Sequence, residues 1–267
     1  MVNRLWQHHF GVGLVATSDN FGVTGARPSH PELLDWLATE FVKGGWSVKS
    51  MQRLIVTSAT YRQSSSLREA PFQADPEDRL LWRFPVQRLD AEVIRDAMLC
   101  VSGEIDLSVG GPYVAMDKTE EGQFVVNEKK NPGFKRRSLY LEQKRTTPMS
   151  LLNVFDGAST NPNCTRRNPS TVTTQSLALL NSEFTRARSR AFAQRLVKET
   201  GAETNDKIEI AFALVYGRPP KQTERSAAEE FLKAQQVEYS GKPNLDENIW
   251  TDFCQMLLAS NAFLYLE

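Results

Sequence analysis

Apolar side chains recur along most of the chain at the three- and four-residue spacing of an α-helix. The first stripe places Val2, Leu5, Trp6, His9 and Phe10 on one helical face. The same spacing returns in stripes made of Leu33, Leu34, Leu37 and Phe41; of Met51, Leu54 and Ile55; of Ile94, Ala97, Met98 and Val101; of Ile208, Ala211, Phe212 and Val215; and of Ile249, Phe253 and Leu257. The pattern predicts a mainly α protein, a multi-helix, bundle-like domain.

Residues that favour helix starts and stops divide these stripes into separate elements. The pair Gly44–Gly45 separates the second stripe from the third, which predicts a helical hairpin with a short loop. An Asp-Pro pair begins a short predicted helix over residues 75–82. Two further helices are predicted over residues 173–181 and 182–200.

The helical spacing disappears between residues 113 and 145. Gly and Pro interrupt this stretch, and Gln123–Val126 and Ser138–Leu141 are short runs typical of strands. These two runs predict a small antiparallel β-ribbon inserted into the helical domain. We therefore expect a single domain over residues 1–267, with an N-terminal helical half (1–112), the β-ribbon insertion (113–145) and a C-terminal helical half (146–267).

Charge and composition exclude several classes of protein. The chain has 32 basic and 32 acidic residues, so no whole-protein field attracts nucleic acid, and no nucleic-acid-binding motif is present. No apolar run approaches the roughly 18 residues that span a bilayer, and no signal peptide is recognisable. The chain as it stands is therefore expected in the cytoplasm. Because Cys100, Cys164 and Cys254 form no zinc or redox motif, neither a metal nor a cofactor is predicted.

One segment departs strongly from this overall neutrality. Between Lys129 and Arg167 the chain has nine basic residues and two acidic ones. One interpretation is a solvated ribbon face whose arginines pair with carboxylates elsewhere. The other is a groove for an anionic partner such as a sulfated or uronic polysaccharide, because guanidinium forks suit acidic groups. The candidate binding cations are Arg136, Arg137, Lys144, Arg145, Arg166 and Arg167.

A second candidate region is the polar run from Asp156 to Asn181. Asp156, Thr174 and Gln175 lie beside predicted helix starts, where an anion can bind to free backbone amides. The same residues could instead form a buried hydrogen-bond network that fixes a long loop. Cys164 is a weak candidate nucleophile, because no histidine is close to it in sequence.

The three histidines all lie within the first thirty residues. His8 and His9 point about 100° apart on a helix, so they cannot both bind one metal ion. The simplest interpretation of His9, on the apolar face, is a core histidine that is hydrogen-bonded to a neighbour. The alternative is a catalytic site that combines His30, His9 or His8 with a carboxylate such as Asp35.

Several blocks of sequence carry a family resemblance. They are Asn3–Gly11, Asp19–Gly22, His30–Leu37, Leu54–Gln63, Arg88–Asp96, Arg137–Tyr140, Lys144–Arg145, Thr173–Asn181, Tyr216–Pro220 and Ser260–Tyr265. Together they resemble the planctomycete-type domain of unknown function 1553 over residues 1–267. The resemblance implies a domain at the end of a longer exported protein of the cell envelope. It also implies an upstream companion domain and, in some members, a cytochrome c-like domain, but no reaction.

Three functions are compatible with these observations, and the sequence does not establish whether the protein is an enzyme. The leading hypothesis is an accessory or binding module of an exported envelope protein, which contacts an anionic polysaccharide or a partner domain. The first alternative is a carbohydrate-active hydrolase that uses the histidines with Asp or Glu. The second is a structural docking domain for an upstream cytochrome c-like region, which predicts an exposed apolar patch around Leu5, Trp6 and Phe10.

Overall fold

The computed structural model describes residues 1–158, 167, 169–200 and 203–266 of the chain. Its helices are α1 (Val2–Phe10), α2 (Pro31–Lys43), α3 (Val48–Val56), α4 (Glu69–Ala74), α5 (Ala91–Val101), α6 (Ser150–Val154), α7 (Thr173–Asn181), α8 (Glu183–Thr200), α9 (Thr204–Tyr216), α10 (Gln222–Glu238), α11 (Leu245–Leu258) and α12 (Asn261–Leu264). Its strands are β1 (Gln87–Arg88), β2 (Asp117–Lys118), β3 (Phe124–Val125) and β4 (Tyr265–Leu266), and Ser138–Tyr140 forms a short 3-10 helix. The predicted mainly α fold with a small antiparallel ribbon is confirmed.

The chain forms two units, each with its own internal packing. Unit 1 comprises Met1–Arg88 with Tyr265–Glu267, and unit 2 comprises Leu89–Leu264. In unit 1, β1 pairs antiparallel with β4. In unit 2, β2 pairs antiparallel with β3. The single domain predicted over residues 1–267 stays a prediction.

Helix α1 forms the centre of the unit 1 core. It contacts both α2 and α3, and its apolar face is buried in a cluster with side chains of those two helices. The Trp6 and Phe10 rings stack with their centroids 4.3 Å apart, and Trp6 is only 6% exposed. The exposed apolar patch expected around Leu5, Trp6 and Phe10 is therefore wrong, because unit 1 itself covers this face.

A Schellman motif ends α2. The Trp46 amide donates to the Phe41 carbonyl at 2.9 Å, and the Gly45 amide donates to the Val42 carbonyl at 3.0 Å. Gly45 has the left-handed backbone that this motif requires, with φ at 67°. Trp46 also has a positive φ, at 62°, and its ring meets the Phe41 ring edge-on with centroids 5.4 Å apart. The helix break predicted at Gly44–Gly45 is confirmed.

The short helix predicted over residues 75–82 is wrong. Helix α4 ends before Asp75, and the following residues form consecutive turns. The Asp75 carboxylate accepts the Leu80 amide at 2.8 Å, and the Trp82 indole N–H donates to the Asp75 carbonyl at 2.9 Å. These bonds occupy the groups that a helix would need, and Asp78 adopts a positive φ of 53°.

Helices α8 and α11 form the main helix pair of unit 2. Helix α8 also contacts α5, α7 and α9, and α11 also contacts α10. The fully buried apolar side chains along this packing include Phe192, Leu196, Ile208, Phe253 and Leu258. The stripes of α9 and α11 therefore face the core as the periodicity predicted.

The ribbon forms, but one of its two predicted strands is wrong. Strand β3 lies within the predicted run Gln123–Val126, and its partner is β2 instead of Ser138–Leu141. Most of the second run is the short 3-10 helix. The physical reason is Asp96 of α5, whose Oδ1 accepts both the amide and the hydroxyl of Ser138 at 2.7 Å. This carboxylate bends the chain into a turn at the point where a strand was expected.

Arg95 joins α5 to the irregular segment that follows the ribbon. Its guanidinium is 1% exposed and donates to the carbonyls of Phe134 at 2.6 Å and of Arg136 at 3.0 Å. It also donates to the Ser138 hydroxyl at 3.2 Å and lies 3.4 Å from Asp96. Burial lowers the pKa of Arg95 to about 10, so the side chain is still charged at neutral pH. A buried cation thus fixes non-helical backbone against α5.

We expect Arg95→Met to lower the free energy of unfolding by about 3–5 kcal/mol, because several buried acceptors lose their donor. Denaturant titration followed by circular dichroism measures the change. The matched control is Arg190→Met, which removes an exposed arginine that pairs with Glu247 at 3.3 Å. This control is expected to cost less than about 1 kcal/mol. Equal losses in the two variants would contradict the structural role of Arg95.

Candidate anion-binding site

Unit 2 contains a cavity of about 210 Å³ between the start of α5, the chain that precedes α6, and α6 itself. Its lining residues are Glu92, Gln143, Lys144, Arg145, Pro148, Met149, Leu152, Asn153, Gly157 and Ala158. The ionisable lining residues are Glu92, Lys144 and Arg145, and the side chains of Met149 and Leu152 form an apolar part of the cavity wall. Two cations predicted to bind an anion therefore share one concave site.

The position of Lys144 and Arg145 follows from a backbone contact just before them. The Val114 amide donates to the Tyr140 carbonyl at 2.7 Å, and the Glu142 amide donates to the Val114 carbonyl at 3.0 Å. Leu141, between these two bonds, is buried. The chain therefore leaves the core at Glu142 and carries the two cations to the cavity.

The two cations differ in how their charge is compensated. Lys144 Nζ lies 3.0 Å from a Glu142 carboxylate oxygen. Arg145 is exposed and forms no ion pair with a carboxylate of the described residues. Arg145 is therefore the lining cation whose donors are most available to an acidic ligand.

Glu92 is the acidic residue of the cavity, and another arginine already binds it. Arg167 donates to both Glu92 oxygens, at 2.5 Å and 3.2 Å, in the fork geometry typical of an Arg–carboxylate pair. Arg167 also lies 3.5 Å from Asp90, the residue that precedes α5. The negative charge of Glu92 is thus largely neutralised inside the protein.

Other cations of the basic segment serve internal contacts. Arg136 is buried, donates to the carbonyls of Pro112 (2.8 Å) and Gly110, and lies 3.8 Å from the centre of the Tyr140 ring. Lys135 pairs with Glu104 at 3.0 Å. These contacts match the interpretation in which the basic residues pair with groups elsewhere.

Arg137 lies half-buried beside the same aromatic ring. Its guanidinium carbon is 5.9 Å from the centre of the Tyr140 ring, and its buried Nε has no hydrogen-bond partner among the residues that the structure describes. The Gly110 amide donates to the Tyr140 hydroxyl at 3.2 Å, and this bond, assisted by the two arginines, lowers the pKa of Tyr140. Neither Arg136 nor Arg137 lines the cavity.

The polar run beside α7 forms a hydrogen-bond network. The Asp156 carboxylate accepts the Ser170 amide at 2.7 Å and its hydroxyl at 2.9 Å. The Gln175 amide group donates to the carbonyls of Val154 and Ser170, each at 3.1 Å. Thr174 is exposed in the first turn of α7. These bonds fit the network interpretation of the run.

Two residues named from the sequence lie outside the described part of the chain. They are Arg166, a candidate binding cation, and Cys164, a candidate nucleophile. Their roles stay predictions.

His9 has the environment of a structural histidine. Its Nδ1–H donates to the Leu5 carbonyl at 2.7 Å, one helical turn back. Its ring meets the Tyr61 ring edge-on, with centroids 5.8 Å apart. One ring nitrogen is thus engaged with the helix backbone.

The remaining members of the predicted catalytic set lie at the protein surface. His8 and Asp35 are exposed, and His30, which precedes α2, is partly buried with its Nδ1 3.0 Å from the Ser29 hydroxyl. Among the residues that the structure describes, no group of three or more His, Cys, Asp or Glu side chains could hold a metal ion. A catalytic role for these residues stays a prediction.

The sequence patterns missed Glu92 as a member of the site. An acidic residue in the first turn of a helix is common, because it complements the helix dipole, so Glu92 carried no distinctive signal. Glu92 is part of the cavity only because the fold brings it close to residues about fifty positions later in the sequence, such as Lys144 and Arg145. Lys144 and Arg145, in contrast, were found from the local surplus of positive charge.

Comparison with known proteins gives the family of the chain. The model of the PSD1 family, described as a protein of unknown function (DUF1553), matches residues 1–232. The chain belongs to this family. Neither the curated proteins nor the solved structures searched contain a match. Among the described helices, none has the length and apolar character needed to cross a membrane.

We expect Asp156→Asn to lower the free energy of unfolding by about 1–2 kcal/mol, because a charged acceptor of two Ser170 donors is lost. Asparagine tolerates the positive φ of 57° at this position, so the backbone is retained. Thermal unfolding measures the effect. Asp35→Asn, at an exposed site, is the control and is expected to stay within about 0.5 kcal/mol of the wild type. Equal stability of Asp156→Asn and Asp35→Asn would contradict the network role of Asp156.

Proposed function

We propose that the chain is a binding module that takes an acidic group of a polysaccharide, a sulfate ester or a uronic carboxylate, in the cavity beside Arg145. The observation that carries this proposal is the position of Arg145. It is an exposed arginine without a described carboxylate partner, on the wall of a concave site. An arginine fork is well suited to the paired oxygens of sulfate and carboxylate.

The other lining residues suit one unit of a sugar chain. Lys144, which pairs with Glu142, adds an ammonium donor, and the exposed Pro148 provides apolar surface for the C–H groups of a sugar ring. The volume of about 210 Å³ is below the range of about 300–1,000 Å³ that encloses a whole small ligand. A single acidic residue of a longer polymer therefore fits the site better than a complete free metabolite.

The family resemblance supports a location in which a polysaccharide-binding module would be useful. The resemblance implies an exported protein of the cell envelope, in which the domain follows an upstream companion or cytochrome c-like region. A module that binds acidic polymers would hold such a protein at envelope or extracellular polysaccharide. The hydrolase alternative has less support, because His9 is engaged with its own helix and the other candidate groups lie at the surface of unit 1.

The test is isothermal titration calorimetry with dextran sulfate, polygalacturonate and uncharged dextran at two salt concentrations. Arg145→Gln is expected to weaken binding of the preferred acidic polymer about tenfold, the loss typical of one charged hydrogen bond. Glu92→Gln is expected to tighten binding several-fold, because the positive charge of Arg167 is then no longer neutralised by Glu92. Higher salt should weaken binding by the wild type.

Lys129→Gln is the matched control, because Lys129 is an exposed cation of the same basic segment outside the cavity. It should leave affinity within about twofold of the wild type. Thermal unfolding of each variant separates a lost contact from a lost fold. Equal effects of Lys129→Gln and Arg145→Gln would mean that the polymer is attracted by the overall positive charge of the segment. That result would contradict binding in the cavity. Binding to neither acidic polymer would overturn the function.

A further inference from the structure

Unit 1 contains a second concave surface, at the turn between α2 and α3. A cavity of about 350 Å³ is lined by Glu40, Phe41, Lys43, Gly44, Ser47, Ser50, Met51 and Leu54. Trp46 lies between two of these lining residues in sequence, and its ring contacts Phe41. Trp46 is 65% exposed, and its neighbour Ser47 and its ring contact Phe41 both line the cavity.

The structural role of Trp46 does not require an indole. In the Schellman motif this position makes an apolar contact with the third residue from the helix end, which here is Phe41. A leucine would make that contact with a smaller exposed apolar surface. A bulky residue at a φ of 62° also costs free energy that a glycine would avoid. Neither the motif nor its apolar contact therefore requires an indole at this position.

Helix α2 presents a second exposed indole on the side that faces this cavity. Trp36 is 49% exposed and precedes Glu40 by one helical turn, and Lys43 follows Glu40 on the same face. Trp36 and Lys43 are about 10 Å apart along the helix axis at 1.5 Å per residue. The exposed aromatic and polar groups thus extend over more than one ring of a sugar chain.

The polar groups of the cavity can both donate and accept hydrogen bonds. The Ser50 hydroxyl donates to the Ser47 hydroxyl at 3.0 Å, and the Ser50 amide donates to the same oxygen at 3.3 Å. Lys43 Nζ lies 3.3 Å from a Glu40 oxygen, so these charges compensate each other. Paired hydroxyls and a neutralised ion pair are partners for sugar hydroxyls without a requirement for ligand charge.

We propose that this surface is a carbohydrate-binding subsite for uncharged pyranose rings. The indole face of Trp46 packs against the C–H face of one ring, while Ser47, Ser50 and the Glu40–Lys43 pair bind its hydroxyls. The mixture of hydroxyls and charges with exposed indole favours a sugar over an apolar helix of a partner protein, which would need a continuous apolar groove. This proposal does not rest on the acidic-polymer site of unit 2.

The experiment titrates the full chain with neutral hexasaccharides of glucose, xylose, mannose and N-acetylglucosamine. Calorimetry gives the affinity, and tryptophan fluorescence reports contact with an exposed indole. We expect at least one hexasaccharide to bind, with an affinity that is insensitive to salt. Trp46→Leu, which keeps the apolar contact with Phe41, should weaken that binding about tenfold and remove most of the fluorescence change. Trp46→Phe should retain a larger part of the affinity.

Two further variants keep the proposal testable if Trp46→Leu does not fold. Ser50→Ala removes a hydroxyl donor from the cavity and should weaken binding several-fold. Val23→Ala changes a fully exposed apolar residue of the same unit and should leave the affinity unchanged. Absence of binding to all four sugars, or full affinity in Trp46→Leu, would overturn the subsite. Neither outcome bears on the salt-dependent binding of acidic polymers, so the two proposals fail separately.

Discussion

A buried guanidinium sets the arrangement of unit 2. Arg95 has almost no contact with water, so acceptors inside the protein must replace its hydration, or burial of the charge would be strongly unfavourable. Carbonyls within a helix are already bonded to amides, so the available acceptors lie in irregular backbone. The segment 134–136 must therefore remain non-helical and close to α5. The chain that continues from it through Leu141 leads Lys144 and Arg145 to the cavity.

Buried cations need acceptors inside the protein, and this need explains why the number of basic residues in a segment overstates the positive charge at the surface. Arg136 is used to hold backbone carbonyls. Arg188, also buried, lies 2.9 Å from Glu104 and 3.1 Å from Glu128. Some cations of such a segment therefore serve internal contacts, while others, such as Lys129 and Arg145, remain exposed. What matters for binding is the number of hydrogen-bond donors that remain available beside a concave surface. The position of Arg145 therefore says more about binding than the surplus of basic residues around it.

The parts of the fold that could be predicted are those determined by local pattern. Helices α1, α9 and α11 follow from apolar spacing, because burial of one face determines a helix regardless of what covers it. Apolar spacing did not predict the turns after Asp75, which depend on local hydrogen bonds to Asp75, or the turn at Ser138, where a distant carboxylate accepts the backbone amide. Asp96, which binds Ser138, is 42 residues away in sequence. The same holds for the candidate site. Arg145 could be predicted from the surplus of positive charge around it in the sequence, whereas Glu92 joins the site only through a tertiary contact.

Two tryptophans of unit 1 show how burial and backbone strain separate structural from functional residues. Trp6 lies on a helical face, has ordinary helical backbone and is buried, so packing alone accounts for it. Trp46 also contributes to folding, since its amide donates to the Phe41 carbonyl and its ring contacts Phe41, but it is 65% exposed and has a left-handed backbone. A bulky side chain that is mostly exposed on strained backbone is expected where a role beyond folding selects the side chain. Helices α2 and α3 cover the apolar face of α1, so Trp46, in the turn between them, is not needed to bury that face.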